Sequence, residues 1–290
     1  MMRVLIGVDQ LEGAKEVSGW VHSLSFGSLV EEWVHIVPQQ SGVVWALDPF
    51  LAADQTERLQ EKTARQMERD LKQRSGSASV RVKIGTPTTE LLNRADETNT
   101  DLLVVRGSNK NTLSAFFLGS IARALVEGAS QSVLLTRGSA PQGPLRVVVA
   151  MDHSEYVEKA LEKLVSWAPQ GIGHLTVLYV LPAPYKADMD QLAQEIAHEA
   201  YGRPVRTPEE VTEAAAKALG VKLGLPMEAI HSVVAHGSVS QAIETTLDAS
   251  DADLLILGAK GHSFLERLTL GSVSFRSVTT CPKSVLVLRA

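Results

Sequence analysis

Apolar residues in this chain fall in short, almost unbroken runs separated by segments of helical spacing. In the second half the runs are LRVVVAM (145–151), LTVLYVL (175–181), HSVVAHG (231–237), DLLILG (253–258) and SVLVLR (284–289). Runs of this kind suit parallel strands covered on both faces. Between them, Val157, Ala160, Leu161, Leu164 and Val165 recur at helical spacing over 154–167. An alanine-rich segment at 208–219 and the segments 241–249 and 273–279 also predict helices. The first half has RVLIGV (3–8), LVEEWVHIV (29–37), VRVKI (80–84), DLLVV (101–105) and SVLLTR (132–137), with a charged helix over 49–75. Strands alternating with helices imply right-handed βαβ units. The prediction is an α/β protein with two tandem, doubly wound, five-stranded parallel sheets.

The two halves are copies. Arg3–Asp9 reads RVLIGVD and Arg146–Asp152 reads RVVVAMD, at an offset of 143; DLLVV at Asp101 meets DLLIL at Asp253, at an offset of 152. The second offset runs without a gap from Gly85/Gly237 to Arg137/Arg289, so the second copy carries nine more residues in its middle (152 − 143). A gapless register through paired glycines, an aspartate and a terminal arginine is a duplication rather than a coincidence of apolar strings. Residues 138–144, GSAPQGP, have no apolar periodicity and read as a linker. The domains are therefore set at 1–137 and 145–290.

Composition narrows the function classes. The chain has 290 residues and a net charge of −5, which argues against a general binder of nucleic acid or of anionic membranes. No run of about 20 apolar residues exists to span a bilayer, and the first apolar run stops at Asp9, too early for a signal peptide. A single cysteine, Cys281, removes any disulfide framework and fits a reducing cytoplasm. The eight histidines are scattered; His231 and His236 have opposite parity on one predicted strand, so no dedicated metal site is expected.

The distinctive chemistry follows the fourth strand of the second copy. There the chain reads Gly258-Ala-Lys-Gly261-His262, and after nine residues between them Gly261 is followed by Gly271-Ser272-Val273 at the start of a helix. Glycine permits close backbone approach to a ligand. A helix N-terminus offers unpaired N–H donors and a positive dipole end to an anion, and the Ser272 hydroxyl adds a donor. The string is not a Walker A loop, and it does not follow the first strand as a dinucleotide fingerprint would. In a doubly wound sheet the ligand crevice lies beyond the carboxyl ends of the strands, which collects Asp152 and Val180 beside this loop. Lys260 and Arg267 read either as screening charges for a phosphate or as solvated surface charges.

The pattern G-x2-G-x9-G-S, with Asp152 closing the first strand, closely resembles the universal stress protein family, and the chain resembles a tandem member from about Arg3 to Arg289. The resemblance implies a Rossmann-like fold of the adenine nucleotide alpha hydrolase type, with the copies related by a pseudo-twofold. It implies ATP, with Mg2+ able to accompany it, on Gly258, Gly261, His262, Gly271, Ser272 and Val273, with Asp152 and Val180 beside the adenine. Family members commonly dimerise through the last strand. Here that implies an intrachain pseudo-dimer pairing 132–137 with 284–289; a homodimer of the whole chain stays open.

The first copy departs from the pattern. It has Arg106 and Asn109 in place of the two loop glycines, then Gly119-Ser120. Its loop is read as degraded or repurposed, and ATP is expected chiefly in the second copy. No set of nucleophile, base and orienting group is visible, so no catalytic residues are assigned and any ATP hydrolysis is expected to be weak. The leading expectation is an ATP-binding regulatory or stress-response module. Two alternatives stay beside it: a slow ATPase or adenylate-forming enzyme, and a scaffold without nucleotide that uses the insertion at about 183–226 to bind a protein partner.

Overall fold

The structure is a computed structural model and describes residues 1–39, 53–107, 119–181, 206–260 and 271–290. The chain divides into two compact units, Met1–His22 with Phe26–Ala140, and Ser23–Ser25 with Pro141–Ala290.

Unit 1 runs β1 (Met2–Val8), α1 (Leu11–Leu24), β2 (Leu29–Pro38), α2 (Ala53–Lys72), β3 (Ser79–Gly85), α3 (Pro87–Glu97), β4 (Leu102–Arg106), α4 (Ser120–Gly128) and β5 (Ser132–Thr136). Its strands lie in the order β3-β2-β1-β4-β5, every described pair parallel. Unit 2 repeats the plan with β6 (Leu145–Met151), α5 (Glu155–Ser166), β7 (Ile172–Leu181), α6 (Pro208–Lys222), β8 (Ile230–His236), α7 (Val239–Ala249), β9 (Leu254–Gly258), α8 (Ser272–Thr280) and β10 (Ser284–Leu288). Its order, β8-β7-β6-β9-β10, is again parallel throughout. Each unit is thus a doubly wound, five-stranded parallel sheet, the architecture that the strand–helix alternation predicts.

The unbroken apolar runs have a simple cause. Val4, Leu5 and Ile6 of β1, Leu102, Leu103 and Val104 of β4, and Leu254, Leu255 and Ile256 of β9 are each at most 2% exposed. A central strand with helices on both faces has no solvent side, so alternation disappears from its sequence. On the helices the apolar stripe returns. α5 buries Val157, Ala160, Leu161 and Leu164 and presents its charged residues outward; Val165, at the rim of that stripe, is half-buried.

Local signals fix the helix ends. Ser154 caps α5 by accepting a hydrogen bond from the Val157 N–H at 3.3 Å. α6 opens with a capping box: the Thr207 hydroxyl accepts from the Glu210 N–H, and the Glu210 carboxylate accepts from the Thr207 N–H. α6 runs to Lys222, three residues beyond the alanine-rich stretch that announces it. Part of the predicted helix over 49–75 appears as α2; residues 40–52 lie outside the described residues.

The repeated Arg/Asp pair is a structural clamp. Asp101 accepts the Arg3 N–H at 2.8 Å, and Asp253 accepts the Arg146 N–H at the same distance. Each aspartate returns its own N–H to the carbonyl of its arginine. The arginine side chains also reach equivalent carbonyls, Thr98 in unit 1 and Ser250 in unit 2. The clamp holds the starts of β1 and β4, or of β6 and β9, in register. That register fixes how their carboxyl ends meet the helix that follows.

Candidate functional site

The site in unit 2 grows out of that register. β6 and β9 are neighbours, with Ala150 opposite Leu257, so their carboxyl ends place Met151-Asp152 beside Gly258. β7 lies on the other side of β6, with Ala150 opposite Leu178, which brings Val180 to the same end. Gly271, at the start of α8, donates its N–H to the Ala259 carbonyl at 2.8 Å. Ala259 in turn donates to the Leu288 carbonyl of β10 at 2.8 Å. Two hydrogen bonds therefore tie Ala259 to β10 and to the start of α8.

The start of α8 is uncapped by any side chain, with Gly271 as its N-cap residue. The first N–H groups of such a helix lack partners within the helix and present the positive end of its dipole. Ser274 serves the frame instead: its buried hydroxyl donates to the Gly258 carbonyl at 2.6 Å and joins α8 to the end of β9.

Between these elements lies a cavity of about 310 Å3, lined among others by Asp152, Val180, Gly258, Gly271, Ser272 and Val273. The fold thus gathers six of the eight residues singled out in the sequence. The other two, Gly261 and His262, lie outside the described residues, as does Arg267. The lining is mixed: an apolar floor that includes Leu178 and Leu257, a carboxylate at Asp152, and a helix N-terminus with a hydroxyl at Ser272. Val273 stays 40% exposed at this edge, an apolar side chain without cover.

Lys260, read from the sequence as either a screening or a solvated charge, lines the cavity wall, with its ammonium 5.9 Å from the centre of the Tyr156 ring. Tyr156 is half-buried at the start of α5. Near it sits Arg289, 9% exposed, whose pKa burial pushes below its ordinary value while Tyr156 acts in the opposite direction. No sequence pattern marks Tyr156, because its neighbours Gly258 and Lys260 stand about a hundred positions away.

Unit 1 holds a cavity of similar size, about 320 Å3, lined among others by Asp9, Ile36, Arg106, Gly119 and Ser120. Strand registers identify Ile36 as the counterpart of Val180. Val34 faces Gly7 as Leu178 faces Ala150, which shifts the offset from 143 to 144 on this strand. A register irregularity between Leu145 and Arg146 absorbs the difference. Asn109 lies outside the described residues.

The remaining candidates stay apart from the site. His231 and His236 lie at opposite ends of β8, both exposed. Among the described residues no group of three or more His, Cys, Asp or Glu is placed to hold a metal ion. Cys281 is buried just after α8. No helix among the described residues is long and apolar enough to cross a membrane.

Two compact units, each with a crevice at the same strand ends, match what comparison with known proteins shows. The model of the Universal stress protein family matches the chain twice, over residues 1–137 and 145–289. The chain belongs to the universal stress protein family. As a tandem member it is similar over its length to solved structures with the same fold. One is a universal stress protein from Archaeoglobus fulgidus DSM 4304, with 17% identity, a TM-score of 0.59, and coverage of 99% of this chain and 98% of the other. Another is a putative universal stress protein from Pseudomonas aeruginosa UCBPP-PA14, with 18% identity, a TM-score of 0.62, and coverage of 99% and 93%. At these identities the likeness concerns the fold. No curated protein matches the sequence. Within this universal stress protein the two crevices share their frame and differ in their residues, most sharply at Arg106 and Gly258.

Proposed function

We propose that unit 2 binds ATP and that the chain works as a nucleotide-dependent regulatory module. The observation that carries this reading is the convergence of Asp152, Val180, Gly258, Gly271, Ser272 and Val273 on one cavity beneath an uncapped helix N-terminus. Each part has a chemical use. The helix start and the Ser272 hydroxyl supply donors to phosphate oxygens. Gly258 and Gly271 let the backbone come close. The apolar floor suits a flat heterocycle, and Asp152 can accept from an exocyclic amine or a ribose hydroxyl. Magnesium would arrive on the phosphate oxygens and water rather than on a protein cluster.

The regulatory reading rests on what the cavity contains besides donors. Its described lining, with donors at the helix start, the Asp152 carboxylate and an apolar floor, suits holding a nucleotide, and occupancy is the output in this reading. Nucleotide bound across β9 and α8 would change the surface that these two elements present, and that changed surface is what a partner would read.

The test is direct. Purified protein is denatured and the supernatant analysed for adenine nucleotide, and Mg-ATP is titrated calorimetrically into nucleotide-free protein. One ATP per chain is expected. Ser272→Ala should weaken it roughly 10- to 100-fold, the effect of losing a hydrogen bond to a charged group. Absence of both endogenous nucleotide and a binding isotherm would overturn the proposal. Turnover abolished by Ser272→Ala would favour an enzyme instead.

A further inference from the structure

The two units solve one packing problem in opposite ways. In unit 2 a Cβ on Gly258 would stand 2.8 Å from Val157 Cγ2, 3.2 Å from the Lys260 carbonyl oxygen and 3.7 Å from Tyr156 Cδ1. The residues at the start of α5 therefore fill the space that a side chain at the end of β9 would need. In unit 1 the residue matching Gly258 is Arg106, and those matching Tyr156 and Val157 are Gly13 and Ala14. Both small residues are buried. The Arg106 guanidinium lies directly against Gly13, in space that a Cβ there would take only by displacing its Nη1.

Charge follows volume. Arg106 Nη1 is 3.9 Å from the Glu16 carboxylate, one turn further along α1. The position matching Glu16 in unit 2 is Lys159, which turns instead to Glu155 at 2.6 Å. Unit 1 thus combines two small residues, an acid and an arginine. Unit 2 combines two large residues, a base and a glycine. Positions that stand some ninety residues apart in unit 1 and some hundred in unit 2 differ together in size and sign between the copies.

We propose that these four paired positions decide which unit accepts a nucleotide. The set Tyr156, Val157, Lys159 and Gly258 keeps the end of β9 bare for close approach, and Tyr156 carries the Lys260 ammonium at the cavity wall. The set Gly13, Ala14, Glu16 and Arg106 instead puts a long cationic side chain on the wall of the equivalent cavity, its guanidinium facing Glu16. In unit 1 the cation stands at the end of β4 and faces α1; in unit 2 it stands on the cavity wall at Lys260, over the Tyr156 ring. Unit 1 is then a ligand-independent copy that a change at Arg106 alone would not convert, because Gly13 and Ala14 would leave a void beneath it. This inference rests on the reading of unit 2 as an ATP site.

Three full-length variants test it, each followed by thermal unfolding and by calorimetric titration of Mg-ATP. Gly258→Arg alone is expected to lower the Tm and abolish binding. Adding Tyr156→Gly, Val157→Ala and Lys159→Glu to it should restore most of the lost Tm without restoring binding. The converse variant, Gly13→Tyr, Ala14→Val, Glu16→Lys and Arg106→Gly, should raise the stoichiometry from one ATP per chain to two. The proposal is overturned if Gly258→Arg is as stable as the wild type, or if its partners do not rescue it. It is equally overturned if the rescued variant still binds ATP, or if the folded converse variant binds only one. Wild-type protein that binds no ATP would sink the functional reading, while the Tm values of the first two variants would still decide the packing exchange.

Discussion

Asp101 and Asp253 show how much one side chain contributes when it serves the backbone. Each accepts an N–H from the start of the neighbouring strand, and each belongs to a clamp repeated in both units. Asp253→Ala leaves the exposed Arg146 N–H to water, so a loss of about 0.5–1.5 kcal/mol is expected in urea unfolding. Asp253→Asn keeps an acceptor oxygen and should lose less. An equal loss for both would mean that charge, not the hydrogen bond, is what matters. Asp152 differs in kind. Its carboxylate accepts the Ser154 N–H at 3.0 Å and still lines the cavity. Both aspartates follow or precede an apolar run in the sequence, and only their position at opposite ends of the sheet separates the structural one from the candidate ligand.

At the level of elements, strands and well-capped helices were legible and their boundaries less so. β1, β4, β6 and β9 announce themselves because burial on both faces demands apolar residues at consecutive positions. α6 is marked by Thr207-Pro208-Glu209-Glu210 and its alanines. Thr207→Ala removes the capping-box acceptor and should cost about 1 kcal/mol, read as faster hydrogen exchange in the first turns of α6. No change in that exchange would mean that packing alone holds the helix. α1 is harder to read, since Gly13 and Gly19 weaken helix propensity. The structure gives Gly13 its reason, for it lies beneath Arg106. A residue that looks like a local defect is thus one half of a tertiary contact.

For the whole molecule the consequence is asymmetry between two similar units. A ligand that binds only the native form of unit 2 stabilises it by mass action, about 2.7 kcal/mol at a concentration one hundred times the Kd. With Mg-ATP present, peptides from β6, β9 and α8 should become more protected from hydrogen exchange, while those from β1, β4 and α4 keep their rates. Equal protection in both sets would show that unit 1 also takes nucleotide, and would contradict the role given to Arg106. The resident ion pair of unit 1 needs no ligand to hold it, so its exchange should not respond.

The sequence by itself determined the duplication, the parallel α/β class and the membership that follows from G-x2-G-x9-G-S, because each is written in residues that are consecutive or at fixed spacing. It also showed that Arg106 and Asn109 break the pattern in the first copy. It did not show why that break is tolerated. Gly13 and Arg106, or Tyr156 and Gly258, meet only when the first and fourth strands of each unit lie side by side, and no periodicity links positions so far apart. Likewise the counterpart of Val180 is Ile36 only because strand pairing shifts the register by one residue. Close packing is what couples such distant positions: a side chain added on one element must be matched by space withdrawn from another.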